Sequence, residues 1–163
     1  MSTNLHHTLV TRAFPHDAAC IAVMVGELLA EIMNRVGVKA FDFNLEETRK
    51  RAAAFMEQDR YVVFLARDPA AVQEAGFIAL AESCALYAEG MFGTIPEFYV
   101  RPQYRSAGVG RALLKAAREF GTSRDWQRLE VTTPPLPQFE RTLRFYEREG
   151  FAITGGRKLK RLL

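Results

Sequence analysis

The sequence predicts an α/β fold (α+β in some schemes), a mixed β-sheet flanked by helices in the order β-α-α-β-β-β-α-β-α-β. Three observations carry that prediction. The β-rich runs at 61–66 and 75–87 are followed by Ala88-Glu89-Gly90, which reverses the chain into a third run reaching Val100, an antiparallel hairpin pattern. A helical stretch then separates this run from Leu129–Thr133, so the later strand must pair in parallel. Between them, Arg105-Ser106-Ala107-Gly108-Val109-Gly110 lies where a strand gives way to a helix.

Each element has a local reason. Residues 7–13 suggest a short first strand, and Pro15-His16-Asp17 a turn with Asp17 as helix N-cap. From Ile21, apolar residues at Met24, Val25, Leu28, Leu29, Ile32, Met33 and Val36 define one helical face, and Gly37 ends it. Asn44 caps a second helix with Glu46 and Glu47 in its first turn, running to about Gln58. Tyr61–Ala66 is closed by Asp68-Pro69. The helix opening near Gly108 buries Val109, Leu113, Leu114, Ala117 and Phe120. Residues 137–149 form the last helix, ended by Gly150, and 151–163 are expected to form terminal strands.

Composition bounds the function. The 163 residues are expected to form one domain, 1–163, with 48% hydrophobic and 25% charged residues. A formal charge of +3 is too small an excess to imply nucleic acid, and suits a protein handling an anionic ligand. Cys20 and Cys84 are expected to be buried reduced thiols. No residues at metal-ligand spacing occur, so no metal is expected. The N-terminus does not read as a secretory signal, and the apolar-rich stretch at 18–30 is interrupted by Glu27. A cytoplasmic protein without membrane contact is expected.

The turn at 105–110 is the first feature that carries chemistry. A glycine-bearing turn opening a helix aims backbone N–H groups and the positive end of the helix dipole at one point, which suits phosphate. Arg105 at its mouth adds a cation able to grip phosphate oxygens in bidentate fashion.

The strand, Pro102, Arg105-x-x-Gly108-x-Gly110 and the apolar helix together resemble motif A of the Gcn5-related N-acetyltransferases (GNAT). Phe145-Tyr146-Glu147-Arg148-Glu149-Gly150-Phe151 is similar to the family's Phe-Tyr-x-x-x-Gly-Phe segment. The resemblance implies a centrally splayed sheet and acetyl-CoA as acyl donor. It further implies that the backbone groups of Phe98 and Val100 pair with the pantetheine arm, while Arg105, Ser106, Ala107, Gly108, Val109 and Gly110 hold the pyrophosphate. Arg111 reads either as a further phosphate contact or as a solvated helix residue. Two departures stand out. Ser106 occupies a place often held by glycine and is expected to keep a negative φ; Leu136-Pro137-Gln138-Phe139 replaces a region where relatives often carry a cofactor-contacting Asn.

Acetyl transfer to an amine needs a proton acceptor for the amine and a proton donor for the departing thiolate. Tyr146 is the implied donor, since a phenol (pKa about 10) lies near a thiol (roughly 8.5). Glu97 is the candidate base, on the strand leading into the turn, with Glu82 and Glu130 in reserve. His6, His7 and His16 have no partner at ligand spacing and are read as neither metal ligands nor bases. Trp126 is read as a lid or core aromatic between helix and strand, and the basic tail 157–161 as a solvated edge strand.

An acetyl-CoA-dependent N-acetyltransferase acting on a small-molecule or peptide amine is therefore expected. A non-catalytic acyl-CoA sensor of the same fold is the alternative. A nucleic-acid-associated protein is disfavoured by the weak charge excess. A homodimer is compatible with all three readings, and the acceptor is not legible.

Overall fold

A computed structural model describes residues 8–163, so His6 and His7 lie outside the described residues. The chain divides into two compact units, one ending at Thr132 and the other running from Thr133 to Leu163. In the first unit the elements run β1 (Leu9–Arg12), α1 (Ala18–Val36), α2 (Leu45–Glu57), β2 (Tyr61–Arg67), β3 (Glu74–Ala85), β4 (Gly90–Ile95), β5 (Phe98–Val100), α3 (Val109–Ser123) and β6 (Leu129–Val131). The second unit carries α4 (Glu140–Arg148). Among the described residues no helix is long and apolar enough to cross a membrane.

The six strands form one sheet in the order β1-β2-β3-β4-β6, with β5 paired to β3 beyond the end of β4. All pairs are antiparallel except β4 with β6, which run parallel with Gly93 opposite Leu129 and Ile95 opposite Val131. The expected antiparallel front and parallel back are therefore both present.

Alternation along the central strands divides the core into two layers. Val63, Leu65, Phe77 and Ala79 join Ile21 and Met24 of α1 in one buried cluster, which Tyr99 of β5 completes. The opposite face meets α3, where the rings of Phe64 and Phe120 pack edge-on at 5.9 Å. Helices on both faces explain why β2 and β3 read as nearly continuous apolar runs.

Several local signals act as expected. Asn44 caps α2 by accepting from the Glu47 amide at 2.9 Å, and Gly37 ends α1 at φ 74°. Trp126 packs between α3 and the sheet, edge-on to Phe120 at 5.4 Å. A Cβ on Gly93 would collide with its ring, so glycine lets the indole lie flat on β4.

Other expectations are corrected. Asp17 stands at the α1 N-cap position, but its carboxylate makes no cap bond to the helix. It accepts from the Phe14 amide at 2.9 Å and from Arg67 at 2.9 Å, because the turn at 15–17 is already helical and runs straight into α1. The stripe expected along α1 is buried only at its start, at Ala18, Ile21, Ala22 and Met24; Leu28, Leu29, Ile32, Met33 and Val36 are half-buried. Cys84 is exposed, because it lies on the part of β3 that outruns the helical layers, whereas Cys20 is half-buried and its thiol is pushed up to about 12, chiefly by desolvation.

The third front run is two strands. Ala81 faces Thr94 but Ile78 faces Phe98, so one extra residue bulges from the strand around Pro96-Glu97, where proline cannot donate to the ladder. The terminal strands expected at 151–163 do not form: that stretch contains neither strand nor helix. The last helix begins at Glu140 rather than near 137, after Pro135 and Pro137.

Candidate active site

Glu97 sits on the bulge between β4 and β5, and its own carbonyl accepts from the Ala79 amide at 2.9 Å. The bulge changes where its side chain is aimed. Instead of continuing the alternation of the strand, the carboxylate reaches β2, where the Tyr61 hydroxyl donates to Oε2 at 2.6 Å. Burial pushes the Glu97 carboxyl above its ordinary value, and the Tyr61 hydrogen bond pulls partly back. Desolvation together with the neighbouring carboxylate raises the Tyr61 phenol well above its ordinary value. A buried carboxylate with a raised pKa is a candidate proton acceptor.

The reserve carboxylates have other occupations. Glu82 accepts from the Trp126 indole at 2.6 Å and faces Arg124 at 3.4 Å. Glu130 is paired with Arg128 at 3.0 Å.

After β5, a short helical turn at Pro102–Tyr104 delivers the chain to Arg105, and α3 opens at Val109 with Gly108 as its N-cap. Two residues of this turn are left-handed, Ser106 at φ 64° and Gly108 at φ 83°. The negative φ expected at Ser106 is thus corrected. Ser106 adopts the conformation that glycine takes most readily, which explains why glycine suits this place. Such left-handed steps turn successive amides toward a common point, and the first amides of α3 point out of the helix end beside them.

Arg105 is placed differently from a free cation at the mouth. Its guanidinium is gripped by Glu31 of α1, with Nη1 to Oε1 at 2.9 Å and Nη2 to Oε2 at 2.6 Å. Nε donates to the Val100 carbonyl at 2.8 Å, and the group lies over the Tyr99 ring. Four residues earlier, Arg101 repeats the arrangement with Glu27, at 3.0 and 2.9 Å. Arg101 is the one buried charged residue among the described residues, and it also donates to the Glu74 carbonyl at 2.7 Å. Arg111 lies exposed on α3.

In the second unit, Tyr146 is buried on α4, with Phe145 and Phe151 packed against its ring at 5.6 and 5.3 Å. Burial raises its phenol above the ordinary value, which keeps the proton in place and widens the gap to a thiol that is expected from the sequence to be small.

Residues 59–153 match the family model of the acetyltransferase (GNAT) domain. The chain belongs to the GNAT acetyltransferase family. Solved structures agree with this GNAT assignment in fold. A putative acetyltransferase from Arthrobacter sp. FB24 is 26% identical, with a TM-score of 0.73 over 100% of this chain and 96% of that one. A predicted acetyltransferase from Clostridium acetobutylicum, solved with acetyl-CoA, is 16% identical with a TM-score of 0.73 over 94% and 96% of the two chains. An aminoglycoside acetyltransferase from an uncultured soil metagenomic sample, solved with sisomicin, is 17% identical with a TM-score of 0.74 over 96% of each chain. No curated protein matches the chain in sequence. Family membership makes the protein an N-acetyltransferase, in a family whose acyl donor is acetyl-CoA.

Sequence reasoning missed Tyr61, Glu27, Glu31 and Arg101. The signal for three of them was present as matched spacing, two acids four apart on α1 and two arginines four apart around Pro102. Tyr61 had no local signal, because its partner lies 36 residues away.

Proposed function

We propose that this protein transfers the acetyl group of acetyl-CoA directly to a primary amine of a small molecule or peptide, with Glu97 as general base and Tyr146 as the acid that protonates the departing thiolate. The reading rests above all on Glu97, a desolvated carboxylate with a raised pKa, hydrogen-bonded at 2.6 Å by Tyr61 on a strand bulge.

Acetyl-CoA supplies the acyl thioester. Glu97 removes a proton from the ammonium so that the nitrogen lone pair can attack the carbonyl carbon, and the second nitrogen proton leaves to solvent as the amide forms. The C–N bond forms and the C–S bond breaks. Tyr146 gives its phenol proton to the thiolate and regains one from solvent.

Phe98 and Val100 are proposed to bind pantetheine through their main chain in the manner of an added strand. In support, β5 pairs with β3 alone among the described strands. The pyrophosphate is assigned to the amides of Ser106, Ala107, Gly108, Val109 and Gly110. Arg105 contributes through the shape of that turn, since its guanidinium is committed to Glu31. The matched stretch 59–153 runs through both compact units, which supports reading 1–163 as one acetyltransferase domain.

The test is thiol release from acetyl-CoA with a panel of monoamines, polyamines, amino acids, aminoglycosides and peptides. Amine-dependent release that Glu97→Gln abolishes supports the reading. Micromolar CoA binding without release against any acceptor favours the sensor alternative instead.

A further inference from the structure

Beyond the cluster in which Ile21 and Met24 of α1 meet Tyr99, two arginine–glutamate bridges tie α1 to the segment that follows β5. α1 is fully buried only over its first two turns, at Ala18, Ile21, Ala22 and Met24. Farther along, Glu27 and Glu31 reach out from successive turns of the same helix face and each grips an arginine of the segment that leads into α3. Both bridges are bidentate, the geometry that fixes direction as well as distance.

The segment they hold is strained. Ser106, at φ 64°, occupies a region costing about 1–2 kcal/mol for a residue with a Cβ. Strain of this kind persists where the surroundings over-determine the backbone. Arg105, the residue immediately before Ser106, is fixed from several sides: its amide bonds to Pro102, its Nε to the Val100 carbonyl, and its fork to Glu31. Glu31 is itself braced by Arg35 at 2.9 Å, and the arginines hold its carboxyl below the ordinary range, chiefly through the Arg105 hydrogen bond.

We propose that Glu31 is a positioning residue for acyl-CoA binding: by holding the Arg105 fork it keeps Ser106 left-handed, so that the amides of the turn converge on the pyrophosphate. The proposal rests on the assignment of that turn to pyrophosphate. It gives Arg105 a role different from that of a direct phosphate ligand, and it makes a residue of α1 a determinant of donor affinity.

Calorimetry with CoA and an NMR titration with pantetheine, which lacks the pyrophosphate, separate the possibilities. Glu31→Gln is expected to weaken CoA at least fivefold and pantetheine less than twofold. Adding Ser106→Gly, which makes the left-handed turn inexpensive, is expected to restore CoA affinity to within about twofold of the wild-type protein. Unchanged CoA affinity in Glu31→Gln overturns the proposal. So does tighter binding, which would mean that Glu31 restrains Arg105 from gripping phosphate. Equal weakening of both ligands also overturns it, by reducing Glu31 to a general structural role. Failure of the wild-type chain to bind CoA at millimolar concentration is a separate result that removes the pyrophosphate assignment itself, and this proposal with it.

Discussion

The Tyr61 hydroxyl and the Glu97 carboxylate meet at 2.6 Å across 36 residues of chain, on opposite sides of β3. The contact places the only polar tip of an otherwise apolar strand start against a carboxylate that burial discourages from ionising. A hydrogen bond to the charged form lowers a carboxyl pKa, so Tyr61 sets how far the desolvation of Glu97 is offset.

Tyr61→Phe removes that offset and moves the Glu97 pKa further up. The acidic limb of the kcat/KM–pH profile is expected to shift to higher pH, with the plateau reached only in more alkaline buffer. A profile that overlays the wild-type curve would show that the ionisation governing the limb is not that of Glu97.

Glu97→Gln separates function from stability. The folded-state pKa of Glu97 lies above its ordinary value of 4.5, so the folded protein favours the protonated form. Its stability contribution is present below the ordinary carboxylate range and is lost as pH rises through the raised pKa. Above the ordinary carboxylate range the raised pKa therefore costs stability, a cost absent from a neutral amide able to accept from Tyr61. Turnover is expected to fall by about 10²–10⁴-fold while the melting temperature at pH 7 stays level or rises. A large drop in melting temperature would assign Glu97 a structural role instead.

Much of this unit is legible because its signals are local. Asn44 before a pair of acids, Gly37 after an apolar stripe, and the Arg105–Gly110 pattern each report a backbone requirement within a few residues. What escaped depends on pairing at a distance. The bulge at Pro96-Glu97 exists because β3 is long enough to pair with two strands in offset registers. The positive φ of Ser106 follows an arginine whose partner, Glu31, lies 74 residues away. The terminal stretch carries strand-like alternation, yet alternation names no partner strand, and that stretch contains no strand.

The turn offers two substitutions with opposite expected signs. Gly108→Ala places a Cβ where no atom lies within 4 Å, yet at φ 83°, so conformation alone sets a cost of about 1–2 kcal/mol. Ser106→Gly relieves similar strain, less the roughly 0.5–1 kcal/mol that glycine adds to the unfolded-state entropy. Thermal melts are expected to show a loss of about 2–8 °C for the first and no loss, or a small gain, for the second. A destabilised Ser106→Gly would mean that the serine side chain itself, rather than the backbone, holds the turn.

Gly110→Asp tests the cradle without weakening the helix. Gly110 is the second residue of α3, where a carboxylate is favoured by the helix dipole and where glycine is a poor helix former. The same charge repels a pyrophosphate seated on the neighbouring amides. CoA affinity is expected to fall by at least 100-fold in calorimetry, while the melting temperature is maintained or raised. Retained affinity would place the pyrophosphate elsewhere, since few substitutions set helix stability and anion binding so directly against each other.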